Sequence, residues 1–186
     1  MKTDDEPTYV CRKGFHAINM QGVVDADMFF LNMNCKYPGS THDAYIYQNS
    51  SVPETIDSMS EKGHLLGDSG YPLREGLLTP FNNPSTPSEI NYNKSHCKTR
   101  NIVERSFGVL KSRFRCLHPT GGVLPFRPSK CAKVLETCVR LHNKAMSEKL
   151  PLLEGGVVLN QHDYIYRGEP ATRTAQEKRL RISSRF

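Results

Sequence analysis

The 186-residue chain is 37% apolar with a mean hydropathy of −0.54, and no apolar run approaches the ~18 residues of a membrane helix, so a membrane protein is not expected. Six cysteines (Cys11, Cys35, Cys97, Cys116, Cys131, Cys138) form no CxxC pair, and the acidic start MKTDDEPTYV lacks the apolar core of a signal peptide; reduced, intracellular thiols are expected. The formal charge of +6 is unevenly divided: residues 1–93 hold 6 basic and 12 acidic side chains, residues 94–149 hold 13 and 3, and residues 150–186 hold 6 and 4, so the middle stretch suits a polyanionic partner or a solvated basic helix face.

In chain order, YVCRKGFHAINMQGVVDA (9–26) is rich in Val, Ile and aromatic residues and reads as a strand, or a strand broken at Gly14. MFFLNMNCKY (28–37) reads as a second strand, joined to the first through Asp25-Ala26-Asp27, short enough for a hairpin. Ser40 or Thr41 is expected to cap a short helix over about His42 to Asn49. SVPETIDSMSEKG (51–63) is polar and reads as loop or a helical turn. HLLGD (64–68) is a short apolar run ending on a carboxylate, which fits a buried strand. Tyr71 to Pro87 is irregular, with recurring Pro and Gly, and SEINYNKSHCKT (88–99) reads as a helix. Over about 99–116, Val103, Phe107, Leu110, Phe114 and Leu117 recur at four and three, the stripe of a helix buried on one side. Residues 128–148 form a further helix with Val134, Leu135, Cys138, Leu141 and Met146 inward, and the polar, basic end RGEPATRTAQEKRLRISSRF (167–186) is expected to be disordered or weakly helical. Strands first and helices later give α+β or mixed α/β.

Three acids sit where acids are awkward: Asp43 at the start of a short helix, Asp68 at the end of an apolar strand, Glu104 beside a buried stripe. On a helical wheel Glu104, Gly108, Lys111 and Arg115 share one face, a carboxylate, a glycine and two cations. Carboxylates gathered from separate elements around Mg²⁺ would make a phosphoryl-transfer site. Each also has a structural reading: Asp43 as a helix-start acid, Asp68 as a turn residue before Ser-Gly, Glu104 as a partner of Lys111 or Arg100. The motif GDSG around Ser69 also occurs in serine proteases, but those carry GDSGG where this chain has Tyr71, and none of the seven histidines lies in a recognisable partner segment. Cys131, Cys138 and His142 fit no familiar zinc spacing, and core packing is expected for them; His142 and Asn143 are expected to make structural hydrogen bonds near a helix end, and His42 to serve in a cap, a turn or a second shell. Tyr71 and Pro72 are expected to shape the loop after Asp68.

The ordered segments YVCRKGFHAINMQGVVDADMFFLNMNCKYPGSTHDAYIYQNS, LLGDSGYPLREGLLTPF, NIVERSFGVLKSRFRCL and CVRLHN closely resemble the DDE domain of PIF/Harbinger transposases and the nucleases derived from them, over about residues 6–145. The resemblance implies a ribonuclease-H-like α/β domain, a mixed sheet with flanking helices, over 1–148; the basic extension over 149–186 is expected, from its composition, to be flexible. It implies a divalent metal cation (Mg²⁺ or Mn²⁺) and cleavage or strand transfer on DNA. Matched motif by motif, its acids are Asp43, Asp68 and Glu104, as metal ligands and catalytic residues, with Lys111, Arg113 and Arg115 as DNA contacts. The family's first acid belongs to a strand motif of the type Ile-Asp-Gly-Thr-His, expected a few residues ahead of position 1; Asp4, Asp5, Asp25 and Asp27 do not match it. A site without that acid is expected to hold its metals weakly, and a sheet without that strand to expose an edge.

The resemblance also implies a nuclear, or additionally cytoplasmic, location and a Myb-like partner protein. The expected function is therefore a metal-dependent DNA endonuclease of transposase descent. The alternative is a non-catalytic, domesticated DNA-binding or protein-interaction module.

Overall fold

The computed structural model describes residues 6–58, 63–151 and 165–186; the expectations for Asp4 and Asp5, for the end of the 51–63 segment and for much of the 149–186 extension lie outside them. The chain folds as two compact units, Met1–Thr41 with Ile102–Asn160, and His42–Asn101 with Gln161–Phe186. Both are mixed α/β in content; where one mixed sheet was expected, the described residues form two two-stranded sheets, one in each unit.

In the first unit the predicted break at Gly14 is a turn. Gly14 sits at φ +77° and donates to the Cys11 carbonyl (2.9 Å), and Cys11 N donates to the Phe15 carbonyl (2.9 Å). Beyond it, β1 (Ile18–Val24) and β2 (Phe30–Pro38) pair antiparallel with Gly22 opposite Met33. The hairpin between them is organised by Asp25, whose Oδ1 accepts from the backbone N–H of Asp27 and of Phe29 (2.9 Å each), while Met28 takes up the left-handed conformation that closes the turn (φ +67°).

The same unit takes the second part of α3 (Pro87–Arg113) from Ile102 onward, and α4 (Pro128–Ser147). Phe30, Leu110, Cys138 and Val139 form the core, with Phe107, Phe114, Leu117 and Val134 against it, so the stripe read from the sequence is the buried one. Gly22 fits tightly there: a Cβ would lie 3.0 Å from Phe30 Cε1 and 3.1 Å from Phe107 Cζ, so it would push on the edge-to-face pair those two rings make.

On α4 the inward face is Cys138, Val139, His142 and Ala145, whereas Leu141, expected inside, is 51% exposed. One residue is 100° of helix rotation, and the chain gives the inward direction to His142, whose Nε2 is 3.0 Å from the Met28 carbonyl. Asn143 beside it acts as a surrogate strand residue. Its Oδ1 accepts from Phe30 N and its Nδ2 donates to the Phe30 carbonyl, both at 2.9 Å. Cys138 and His142 thus lie in the core, and Cys131 Sγ donates to the Phe126 carbonyl (3.4 Å).

The second unit holds α1 (Asp43–Gln48), α2 (Val52–Asp57), the parallel pair β3 (Leu65–Leu66) and β4 (Leu77–Leu78), the first part of α3, and α5 (Arg173–Ser183). Helix α3 begins earlier than its apolar stripe suggests because Thr86 and Glu89 form a capping box. Glu89 Oε2 accepts from Ser85 N (2.7 Å) and Thr86 N (3.1 Å), Glu89 N donates to Thr86 Oγ1 (3.2 Å), and Pro87 supplies the first turn. These backbone donors hold the Glu89 carboxyl below the usual glutamate range.

The chain end, expected to be disordered or weakly helical, is helical over Arg173–Ser183 and built into this unit. Ala175 is fully buried against Leu73 and Leu78. Lys178 donates to the Glu75 carbonyl (2.7 Å), and Arg179 donates to the Pro80 carbonyl (3.0 Å) with its guanidinium 4.0 Å from the Phe81 ring centroid. Among the described residues no helix is long and apolar enough to cross a membrane.

Replacing Asn143 by Ala leaves the Phe30 amide and carbonyl unsatisfied beneath α4; denaturant unfolding of the full chain should show a loss of about 1–3 kcal/mol, and an unchanged midpoint would contradict this role.

Burial lowers the pKa of His142, with Arg113 adding to the effect and the Met28 carbonyl opposing it; burial likewise lowers that of His96. Each stays neutral in the fold where the unfolded chain takes up a proton near pH ~6.5, so stability is retained above that pH and falls as pH drops below it. Urea midpoints should fall between pH 7.5 and 5.5, and His142→Gln, though less stable at pH 7.5, should show a shallower drop.

Candidate carboxylate site

Asp68 stands at the exit of β3, where Gly67 ends the short parallel pairing with β4 by donating to the Leu78 carbonyl (2.9 Å). The chain then turns sharply: Gly70 N donates to Asp68 Oδ1 (2.8 Å) and Tyr71 N to the Asp68 carbonyl (3.2 Å). The turn role anticipated for Asp68 is therefore real, and it orients the carboxylate. Ser69 belongs to the same turn, and its carbonyl accepts from Tyr166 N (2.6 Å).

Tyr71 folds back over the strand end. A Cβ on Gly67 would lie 3.1 Å from Leu77 Cδ1, 3.2 Å from Tyr71 Cβ and 3.3 Å from Tyr71 Cδ2, so a larger residue at 67 would have to displace these neighbours by a few tenths of an ångström. The Tyr71 ring meets Tyr47 edge-on, with centroids 6.0 Å apart and an interplanar angle of 89°. Tyr47 is buried on α1 one helical turn after Asp43, which opens the first turn of that helix, so the two share a face. The expected caps are not used: His42 occupies the N-cap position in extended backbone without a side-chain cap bond, and Ser40 Oγ donates instead to the Thr8 carbonyl (2.6 Å).

The electrostatics join these pieces. Burial pushes the Tyr71 phenol well above the usual tyrosine range; Asp43 and then Asp68 push it further up, and Arg100 opposes them. Two of the three predicted acids, from a helix start and a strand end, therefore act on one phenol in one unit. Arg100 was read from sequence only as a surface partner for Glu104, and Tyr71 only as a loop former. The available signal for Tyr71 was the bulky aromatic placed where the protease-like motif has glycine.

Glu104 lies in the other unit, half-buried on α3. The basic residues predicted around it meet different fates. Lys111 is half-buried, and burial lowers its pKa, with Lys13 adding to the effect. Arg113 Nη2 donates to the carbonyls of Leu150 (3.0 Å) and Pro151 (3.4 Å), beyond the end of α4. Arg115 falls outside α3, which ends at Arg113 because Phe114 leaves helical geometry (φ −115°, ψ 82°); it starts the 3₁₀ turn Arg115–Leu117 and donates to Thr120 Oγ1 (2.7 Å). The helical face drawn through positions 104, 108, 111 and 115 thus ends before Arg115.

Carboxylate oxygens are the donors that Mg²⁺ and Mn²⁺ take, so the chemistry of Asp43 and Asp68 fits such an ion. Among the described residues, no group of three or more His, Cys, Asp or Glu side chains is gathered closely enough to hold a metal by itself.

The DDE superfamily endonuclease family matches residues 1–143. The bovine protein named "Putative nuclease HARBI1" (Bos taurus) is 37% identical over 140 residues, covering 75% of this chain and 40% of the relative. Its Xenopus laevis namesake is 30% identical over 181 residues, 96% of this chain and 52% of the relative, and "Protein ALP1-like" of Arabidopsis thaliana is 29% identical over 168 residues, 81% and 40% respectively. The chain thus spans between two fifths and about half of the length of these relatives. No solved structure matches it. The match across residues 1–143 and the 37% identity to a nuclease-named relative together show that the chain belongs to the DDE superfamily endonuclease family.

Proposed function

We propose that this chain is part of a divalent-metal DNA endonuclease of transposase descent, built on a ribonuclease-H-like plan. Asp43, Asp68 and Glu104 are the ligands and catalytic acids, and Mg²⁺ or Mn²⁺ is the ion. The observation that carries the reading is that Asp43, at the start of α1, and Asp68, at the exit of β3, lie in one unit and both act on the Tyr71 phenol, so carboxylates from two separate elements are available to one cation. When bound, the ion would lower the pKa of attacking water and neutralise charge on the phosphodiester.

The protein's own share is positional. Asp68 is fixed by the Gly70 and Tyr71 amides, and Asp43 by its place at the N-terminal turn of α1. The substrate class follows from the family and from the basic stretch 94–149, which carries 13 Lys and Arg against 3 acids. A nuclear location and a Myb-like partner protein belong to the same reading, through the likeness to Harbinger-derived nucleases.

Supercoiled plasmid incubated with the full chain and Mg²⁺ or Mn²⁺ should be nicked, EDTA should stop the reaction, and Asp68→Asn should lower the rate at least about a hundredfold, on the order of 3 kcal/mol of barrier. Nicking that survives both EDTA and Asp68→Asn would overturn the reading. Salt-sensitive DNA binding without cleavage, indifferent to EDTA, would favour the non-catalytic alternative.

A further inference from the structure

We propose that the outer face of α4 is a docking surface for duplex DNA, where a stripe of exposed cations, Lys130, Lys133, Arg140 and Lys144, contacts backbone phosphates. The proposal rests on the DNA-substrate part of the reading above and not on its metal.

These four cations and Thr137 follow one another along α4 at intervals of three, four, three and four residues. At 100° per residue they fall within about 80° of one another, turned away from the side that buries Cys138, Val139, His142 and Ala145. All five are exposed, Arg140 with 77% and Lys144 with 68% of the side chain open to solvent. The stripe is about 21 Å long at the rise of an α-helix. A DNA strand carries one phosphate per ~3.4 Å of duplex axis, so the stripe can follow several phosphates in succession.

Helix stability does not explain the stripe. Like charges one turn apart, as in Lys130 with Lys133 and Arg140 with Lys144, weaken a helix. The N-cap of α4 is Arg127 and its first turn carries Lys130 and no acid, although the positive end of the helix dipole favours acids there. Two carboxylates offset part of the charge: Glu136 meets Arg140 at 2.6 Å and Glu148 meets Lys144 at 2.9 Å. Both pairs are solvent-exposed, so phosphate can replace carboxylate without disturbing any packing. A polyanion laid along the stripe relieves the repulsion among its cations.

The cations that the family likeness singled out are engaged elsewhere. Lys111 is half-buried, Arg113 donates to the Leu150 and Pro151 carbonyls, and Arg115 donates to Thr120 Oγ1. The stripe on α4, by contrast, faces outward on a helix fixed from behind by the bonds of His142 to the Met28 carbonyl and of Asn143 to Phe30. At its start the Lys130 ammonium is held 4.0 Å from the centroid of the Phe126 ring. A rigid array loses little freedom on binding. It contains no Asn or Gln to read base edges, so the contact is to phosphate and independent of sequence.

The test is binding of the full chain to a labelled mixed-sequence duplex of about 20 base pairs, in EDTA, by fluorescence anisotropy across a salt series, with a thermal melt of each variant. Joint replacement of Lys133→Gln, Arg140→Gln and Lys144→Gln keeps helix-forming side chains. It should flatten the slope of log affinity against log salt by about 2–3 and weaken binding at ~0.1 M salt on the order of a hundredfold. The control, Arg173→Gln with Arg181→Gln and Arg185→Gln, removes the same charge from exposed positions of the chain end and should leave the slope within about 0.5 of the wild type. If the triple α4 variant does not fold, Lys133→Gln with Lys144→Gln should flatten the slope by about 2, and an unchanged slope there would overturn the proposal.

A folded α4 variant that binds like the wild type would overturn the docking surface and leave the DNA-substrate reading standing. An equal loss in the control variant would reduce the effect to net charge and overturn it too. Polyglutamate that displaces the protein as well as unlabelled duplex does, at matched charge, would overturn the choice of DNA as occupant. Wild-type chain that fails to bind duplex at low salt would overturn the DNA-substrate reading and this inference with it. Stripe-dependent binding without any nicking in Mg²⁺ or Mn²⁺ would support this inference and remove the metal reading.

Discussion

Tyr71 packs closely over residue 67, which carries no side chain. A Cβ there would stand 3.1 Å from Leu77 Cδ1, 3.2 Å from Tyr71 Cβ and 3.3 Å from Tyr71 Cδ2, so a larger residue would have to push these neighbours aside by a few tenths of an ångström, beside the edge-on contact of Tyr71 with Tyr47. Two carboxylates and a buried phenol are unfavourable company, because burial and like charge both disfavour ionisation. The fold holds them by backbone donors at Asp68, aromatic packing through Tyr47, and a parallel pair two residues long whose connection begins with the Asp68–Tyr71 turn.

The first unit shows a different economy. Its hairpin is short and twisted by two register irregularities, and a two-stranded ribbon alone is marginal in water. It is made into a layer by α4, which packs apolar side chains against it and also supplies Asn143 as a surrogate strand neighbour for Phe30 and His142 as a partner for the Met28 carbonyl. The positive charge of the middle stretch is partly spent within helices. Arg140 pairs with Glu136 and Lys144 with Glu148 at one-turn spacing on α4, and Arg113 is engaged with backbone carbonyls. Exposed pairs of that kind are worth little in stability and are readily exchanged for phosphate.

What could be read from the sequence follows physical range. The hairpin and the stripe through Phe107, Leu110 and Phe114 were legible because alternation and helical periodicity are local signals. The end of α3 was not, because the apolar spacing continues through Phe114 and Leu117 after the backbone has left the helix. His142 packs in the core and makes the structural hydrogen bond expected of it, to the Met28 carbonyl, and that inward turn of α4 leaves Leu141, expected inside, exposed. Ser40 and Thr41 looked like caps, yet Ser40 finds the Thr8 carbonyl, a partner no local pattern reveals. The C-terminal helix was hidden by its own composition: Lys178 and Arg179 are polar in sequence but bind carbonyls of the Glu75–Pro80 stretch, while Ala175 and Ile182 pack on the core. Asp43 and Asp68 were recognisable as acids in awkward places, but the tyrosine on which both act could be found only in three dimensions.

The central claim is that Asp43 and Asp68 form one cation site beside Tyr71. Its most direct test is a crystal structure of the chain grown with Mn²⁺, with anomalous scattering used to locate the ion. The account predicts an anomalous peak ligated by oxygens of both Asp43 and Asp68, at about the 2.0–2.2 Å typical of hard divalent ions with carboxylate. A peak that touches neither residue, or the two carboxylates turned to different sides of their unit, would contradict it.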